Sequence, residues 1–146
     1  MRGAEKVLTK GLTKKNGKKG LKPSEVFVTE FKSYYTSVKR VLDAMGIANE
    51  LKRERRIVIK PNLTDALFPP VTTDVNCVKA VIEYVQSCSK AKVVVTEGSG
   101  GCDTPKAFDR LGYGALEGVY GIELVDLNTD DRKTVRNDKA KVLKEF

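Results

Sequence analysis

The sequence predicts an α/β fold, in an alternating β-α-β-α-β-α-β order, with a mainly parallel sheet flanked by helices. Three observations carry this expectation. Compact β-branched runs at Arg56–Lys60 (RIVIK), Lys92–Thr96 (KVVVT) and Ile122–Leu127 (IELVDL) recur at intervals of about 30 residues, the length of a βαβ unit. Apolar residues between those runs repeat at the three- and four-residue spacing of a helix face. The first two runs are short and almost continuously apolar, as strands buried on both faces are.

The elements follow in order. After Pro23, Glu25–Phe31 (EVFVTEF) alternates Val26 and Val28 and predicts a first strand. Ser33–Met45 carries Tyr35, Val38, Val41, Leu42 and Met45 at helical spacing, and Gly46 is a natural stop. Ile47–Arg55 reads as a polar linker to the RIVIK strand. Residues 61–71 (PNLTDALFPPV) form a loop stiffened by Pro69 and Pro70, and Thr72, Thr73 or Asp74 can cap the helix that follows. That helix places Val75, Val78, Val81, Ile82 and Val85 on one face. The KVVVT strand ends in Glu97-Gly98-Ser99-Gly100-Gly101. A third helix starts at Thr104, is interrupted near Gly112 and resumes over Ala115–Tyr120, with Tyr113 and Tyr120 packing it on the sheet. Ile122–Leu127 is the fourth strand, and Asn128–Phe146 is charged and weakly patterned.

Composition narrows the function classes. The chain of 146 residues has a single-domain length, with 40% hydrophobic and 32% charged residues and no run near the ~20 apolar residues of a bilayer span. Its formal net charge is +8, but the distribution is uneven. Residues 1–22 hold eight of the 27 Lys and Arg and one acid, Glu5, whereas residues 23–146 are nearly neutral. The expected organisation is therefore a flexible basic arm over residues 1–22 and one α/β domain over residues 23–146. Such an arm suits nucleic acid or an acidic partner. Histidine is absent, which excludes a Ser-His-Asp triad, a Cys-His dyad and His-ligated zinc. Cys77, Cys88 and Cys102 form an odd set without a C-x-x-C pair, which fits a reducing compartment. With no apolar signal stretch at the N-terminus, the expected location is cytoplasmic and no membrane partner is expected.

Chemistry is expected at the carboxyl ends of the parallel strands, where open α/β sheets bind ligands. Two loops there have unusual content. Lys60 and Asn62 follow the RIVIK strand, and Glu97, Gly98, Ser99, Gly100 and Gly101 follow KVVVT. Backbone N–H groups of a Gly-rich loop leading into a helix favour an anion, and Lys60 supplies a counter-charge. The expected ligand is a small phosphate- or carboxylate-bearing molecule held by Lys60, Asn62, Glu97, Gly98, Ser99, Gly100 and Gly101. The alternative is a simple tight turn with Lys60 on the surface. No P-loop run exists, and Asp103 stands where the Rossmann fingerprint has its third glycine, so classical nucleotide binding is not supported. Asp126 and Asn128 could line the same edge or simply end a strand. Glu97 and Asp103 could in principle attract a hard cation, but no metal site is assigned, and no catalytic residue or cofactor can be named.

The segments Ile57-Val58-Ile59-Lys60-Pro61-Asn62-Leu63, Pro70-Val71-Thr72-Thr73 and Ala91-Lys92-Val93-Val94-Val95 carry a resemblance, continued by Leu111-Gly112-Tyr113 and Gly121–Asn128. Together, over residues 25–128, they resemble the domain of unknown function 362 family. Members of that family often carry ferredoxin-like iron–sulfur modules, so the resemblance implies an iron–sulfur partner as one reading. It also implies that this chain corresponds to the N-terminal part of a longer domain, because the family's later lysine-rich segment with a histidine has no counterpart here.

Overall fold

The computed structural model describes residues 5–8, 25–136 and 138–139. Its centre is a sheet of three parallel strands in the order β3-β4-β5, where β3 is Arg56–Ile59, β4 is Lys92–Glu97 and β5 is Glu123–Asp126. The register pairs Arg56 with Lys92, Ile59 with Val95 and Glu97 with Asp126. The carboxyl ends of all three strands therefore share one edge. The alternating α/β order and the mainly parallel sheet with flanking helices are as expected.

β4 is central, and its Val93, Val94 and Val95 are all buried. Val58 on the edge strand β3 remains 58% exposed. RIVIK, expected from its apolar run to be buried on both faces, is instead a half-exposed edge strand; only the middle strand β4 is covered on both faces and both edges.

Helix α3 (Val75–Cys88) crosses from β3 to β4. Of the three residues suited to cap it, Asp74 does so, its carboxylate accepting from Asn76 N–H at 2.8 Å. Val78, Ile82 and Val85 are buried in the core with Leu63, Val95, Phe108 and Leu116. Each such side chain contributes about 1.5–3 kcal/mol when fully buried. The crossover from β4 to β5 contains two short helices, α4 (Thr104–Arg110) and α5 (Ala115–Tyr120), separated by Gly112 at φ 79°. That left-handed backbone is where glycine costs least, so the interruption expected at Gly112 has a backbone cause.

The amino-terminal part differs from expectation in two ways. The first strand forms at Glu25–Val28 (β2) but does not join the parallel sheet; it pairs antiparallel with β1, Glu5–Leu8. Four residues of the basic segment read as an arm are thus a strand, and the rest of residues 1–22 lies outside the described residues. The segment read as a linker contains a one-turn helix, α2 (Ala48–Leu51). Helix α1 (Tyr34–Met45) is capped by Ser33, which accepts from Thr36 N–H, and ends at Gly46 with φ 69°. It packs against α3. Cys77 and Cys88 lie on α3, and they and Cys102 are free thiols.

Candidate functional site

The strand-end edge is organised around one carboxylate. Glu97, the last residue of β4, is only 3% exposed. Its Oε1 accepts from Lys60 Nζ at 2.5 Å and from Gly98 N–H at 2.8 Å, and its Oε2 accepts from Leu63 N–H at 3.1 Å. Burial pushes the Glu97 carboxyl up, but the Lys60 ammonium and the two backbone donors outweigh it and hold the group below its ordinary value. A buried carboxylate is tolerated only with such partners. The local sequence makes this arrangement possible. Pro61 follows Lys60 and lacks an N–H, so the first backbone donors past Lys60 are Asn62 and Leu63. Leu63 is fully buried, which fixes its N–H at Glu97.

Lys60 itself is not buried. Its side chain is 55% exposed, and its remaining contact is to the Pro61 carbonyl at 3.4 Å. An ammonium has three donors, so at least one still faces outward.

Asn62 serves its own loop. Its N–H donates to Thr73 Oγ1, its Nδ2 donates to the Val71 carbonyl, and its Oδ1 accepts from the Thr64 hydroxyl. Its carbonyl accepts from Thr73 N–H at 2.8 Å. These bonds close residues 62–73 into a strap and leave the amide little capacity for a ligand.

Ser99 is also a staple. Its N–H donates to Thr104 Oγ1, its carbonyl accepts from Asn128 Nδ2 at 3.0 Å, and its Oγ lies 3.2 Å from Cys102 Sγ. Asn128 Nδ2 also reaches Thr104 Oγ1, so the end of β5, the Gly-rich loop and the start of α4 are held as one unit. Asp126 accepts from Asn128 N–H and ends the strand in a turn. Asp103 accepts from Lys106 N–H and caps α4.

The three glycines differ. A Cβ at Gly98 would meet Asn128 Oδ1 at 3.2 Å and Leu127 Cβ at 3.3 Å. A Cβ at Gly101 would fall 1.4 Å from Asp65 Oδ1, so Asp65 rests directly on that glycine. Gly100 faces open space. Among the described residues, no hydrogen bond engages the backbone N–H of Gly100 or Gly101. Asp65 and Ala66 both have positive φ, 59° and 48°. For non-glycine residues this costs of order 1–3 kcal/mol each and persists only where surroundings impose it.

The structure thus brings Lys60, Glu97, Gly98 and Ser99 together, turns Asn62 into its own loop, and leaves Gly100 and Gly101 at the rim beside Asp65. Sequence reasoning missed the Leu63 N–H, Thr73, Thr104 and Asp65. The first is a backbone group that no side-chain pattern reports. The others are small polar residues in loops, a class too common to single out. An apolar hollow of about 380 Å³ lies elsewhere, bordered by Phe31, Tyr34, Leu42 and Val81. Among the described residues, no group of three or more Cys, Asp or Glu side chains could hold a metal ion, and no helix is long and apolar enough to cross a membrane.

No curated protein and no solved structure matches the chain. The family described as Domain of unknown function (DUF362) matches residues 57–146. The match starts inside β3 and takes in both strand-end loops. It covers more than half of the sequence, and the chain belongs to the DUF362 family.

Proposed function

We propose that the chain binds an anionic small molecule, bearing phosphate or carboxylate, at the carboxyl ends of β3 and β4. The observation that supports this reading is Lys60: an ammonium more than half exposed, yet fixed in position by a buried carboxylate. Glu97 already fills the hole made by the Lys60, Leu63 and Gly98 donors. It is therefore a positioning residue, and Ser99 and Asn62 keep the two loops in register. The ligand contacts are the outward donors of Lys60 and the N–H of Gly100, because the Asp65 carboxylate covers Gly101 and would repel an anion there. A charge-assisted hydrogen bond contributes about 1.5–3 kcal/mol, which is roughly ten- to a hundredfold in affinity. Calorimetric titration with inorganic phosphate, citrate and a nucleoside monophosphate tests the reading. Saturable binding of at least one, weakened tenfold or more in Lys60→Met with the fold intact by circular dichroism, supports it. Unchanged affinity in Lys60→Met, or no binding of any of the three, overturns it.

A second reading is nucleic-acid binding through residues 1–22, supported by their eight Lys and Arg against one acid. Replacing Lys10, Lys14, Lys15, Lys18, Lys19 and Lys22 by Gln, which spares the Glu5–Leu8 strand, should weaken binding to a labelled oligonucleotide and flatten its salt dependence; binding that survives with its salt dependence intact removes the segment from consideration.

A further inference from the structure

The opposite edge of the sheet carries a different chemistry. At the amino ends of β3 and β4 the fold gathers six cations: Lys52, Arg53, Arg55, Arg56, Lys90 and Lys92. They are distant in sequence but held as one surface. Arg56 stands beside Lys92 in the parallel register, and Lys92 N–H donates to the Arg55 carbonyl at 2.9 Å. Ser89, just past the end of α3, donates through Oγ to the Leu51 carbonyl at 2.8 Å and clamps Lys90 next to the segment that follows α2. Lys52 and Lys90 border one open hollow of about 420 Å³, whose wall includes Gln86, Ser87 and Cys88.

Counter-charge is scarce there. Lys92 is paired with Glu123 at 2.6 Å. Arg56 also acts on the Glu123 carboxylate, and among the described residues no ion pair engages Lys52, Arg53, Arg55 or Lys90, all four of them exposed. Glu50 and Glu54 are the other acids of this edge, so a positive excess remains. Maintaining like charges this close costs free energy unless something anionic meets them.

We propose that this amino-end edge is a docking surface for the phosphate backbone of nucleic acid, independent of residues 1–22 and of the Lys60 crevice. The surroundings favour that polyanion over an anionic membrane. Neither residues 48–56 nor residues 86–92 present an exposed large hydrophobic side chain, and the exposed Val58 beside Arg56 is a single short side chain, too little apolar surface to anchor in a bilayer. The same segments contain no aromatic residue, so bases have no stacking platform. The recognition is therefore of duplex backbone, without sequence preference. The hydroxyls of Ser87 and Ser89 already donate to the Tyr84 and Leu51 carbonyls, which leaves the contacts to the cations. Such contacts make log K fall with log salt at about 0.9 per phosphate neutralised.

The test is fluorescence anisotropy of the full chain on a labelled duplex of about 20 base pairs, across about 50–200 mM salt. Charge reversal at Lys52→Glu, Arg55→Glu and Lys90→Glu together is compared with reversal at Lys32→Glu, Lys106→Glu and Lys133→Glu, which changes net charge equally. Expected is a loss of tenfold or more and a salt slope smaller by about 2–3 for the first variant, with a much smaller change for the second. Equal losses in the two variants, or no duplex binding at the lowest salt, overturn the proposal. So does co-sedimentation with phosphatidylserine vesicles that exceeds duplex binding. If residues 1–22 supply all the affinity, the first variant binds like the parent, which also overturns it.

Discussion

Lys60 and Glu97 lie 37 residues apart in sequence and meet at 2.5 Å across the β3–β4 pair, one exposed and one buried. The asymmetry decides what each is worth. Glu97 is the acceptor for the buried Leu63 N–H and for Gly98 N–H, so its loss orphans two backbone donors. Lys60 is screened by water, so its loss removes one of three partners. In urea denaturation, Glu97→Ala should cost about 2–4 kcal/mol and Lys60→Met about 1–2 kcal/mol, with Glu97→Gln in between. Equal costs for Lys60→Met and Glu97→Ala would show that the backbone donors contribute nothing.

The same pair sets a pH dependence. The Glu97 carboxyl is held below its ordinary value of 4.5: burial raises it, and the donors from Lys60, Gly98 and Leu63 together more than reverse that. A depressed folded-state value means the unfolded chain takes up its proton first as pH falls. The stabilisation is therefore complete above about pH 4.5 and is lost as pH drops through the folded-state value. Asp43 and Glu123, also lowered by Lys39 and Lys92, act in the same direction from the surface. Thermal melts between neutral and acid pH should show a shallower loss of Tm for Glu97→Gln than for the parent. Parallel profiles would mean that Glu97 titrates alike in the two states.

Much of this fold is legible locally and some of it is not. RIVIK and KVVVT both read as strands from their β-branched runs, but the runs alone do not tell the half-exposed edge strand from the buried central one, and the helix over Val75–Cys88 reads from its apolar stripe. Gly46 and Gly112 mark helix ends because the left-handed backbone there is cheapest for glycine. The partner of Glu25–Val28 is invisible, since Glu5–Leu8 is four residues in a Lys- and Gly-rich stretch and its pairing is non-local. At the edge of the proposed site, residue type singled out Lys60 and Glu97, which the fold brings together. Residue type could not reveal that Asn62 closes its own loop, because that depends on where Thr73 and Val71 return. Nor could it reveal the positive φ of Ala66, which follows Asp65 at φ 59°: aspartate tolerates that region better than most residues, but alanine gives no signal of it.

The Gly101–Asp65 contact makes a sign-reversing prediction. In the parent, Gly101→Ala drives a methyl into the Asp65 carboxylate, which must rotate away toward solvent, and should destabilise by about 0.5–1 kcal/mol. Asp65→Gly removes that obstacle and relieves a residue at φ 59°. In the Asp65→Gly background, Gly101→Ala should be neutral or stabilising by up to about 1 kcal/mol, because alanine restricts the unfolded chain. A coupling of at least about 0.5 kcal/mol in the double-mutant cycle is expected. Additive effects would mean that the two residues do not touch in solution.

Tyr113 connects the core to the strap that carries Asn62. Its ring is fully buried, 6.0 Å from that of Phe108, and its hydroxyl donates to the Thr73 carbonyl at 2.8 Å. Burial pushes its phenol well above the ordinary value of 10.0, with nearby Cys77, Asp74 and Glu97 adding to the shift, so it stays a donor through the alkaline range. Thr73 in turn holds Asn62 on both sides of its backbone, through its own N–H and its Oγ1. Tyr113→Phe keeps the packing and deletes only the donor, so it should cost about 1 kcal/mol. Tyr113→Ala adds a cavity and should cost about 3–5 kcal/mol. The distinguishing measurement is amide hydrogen exchange in Tyr113→Phe. Exchange at Asn62 and Thr73 should accelerate while Val93 and Val95 in β4 stay protected, because the strap loosens without the sheet opening. Uniform acceleration at all four amides would mean that the hydroxyl contributes only to global stability and does not hold the loop beside Lys60.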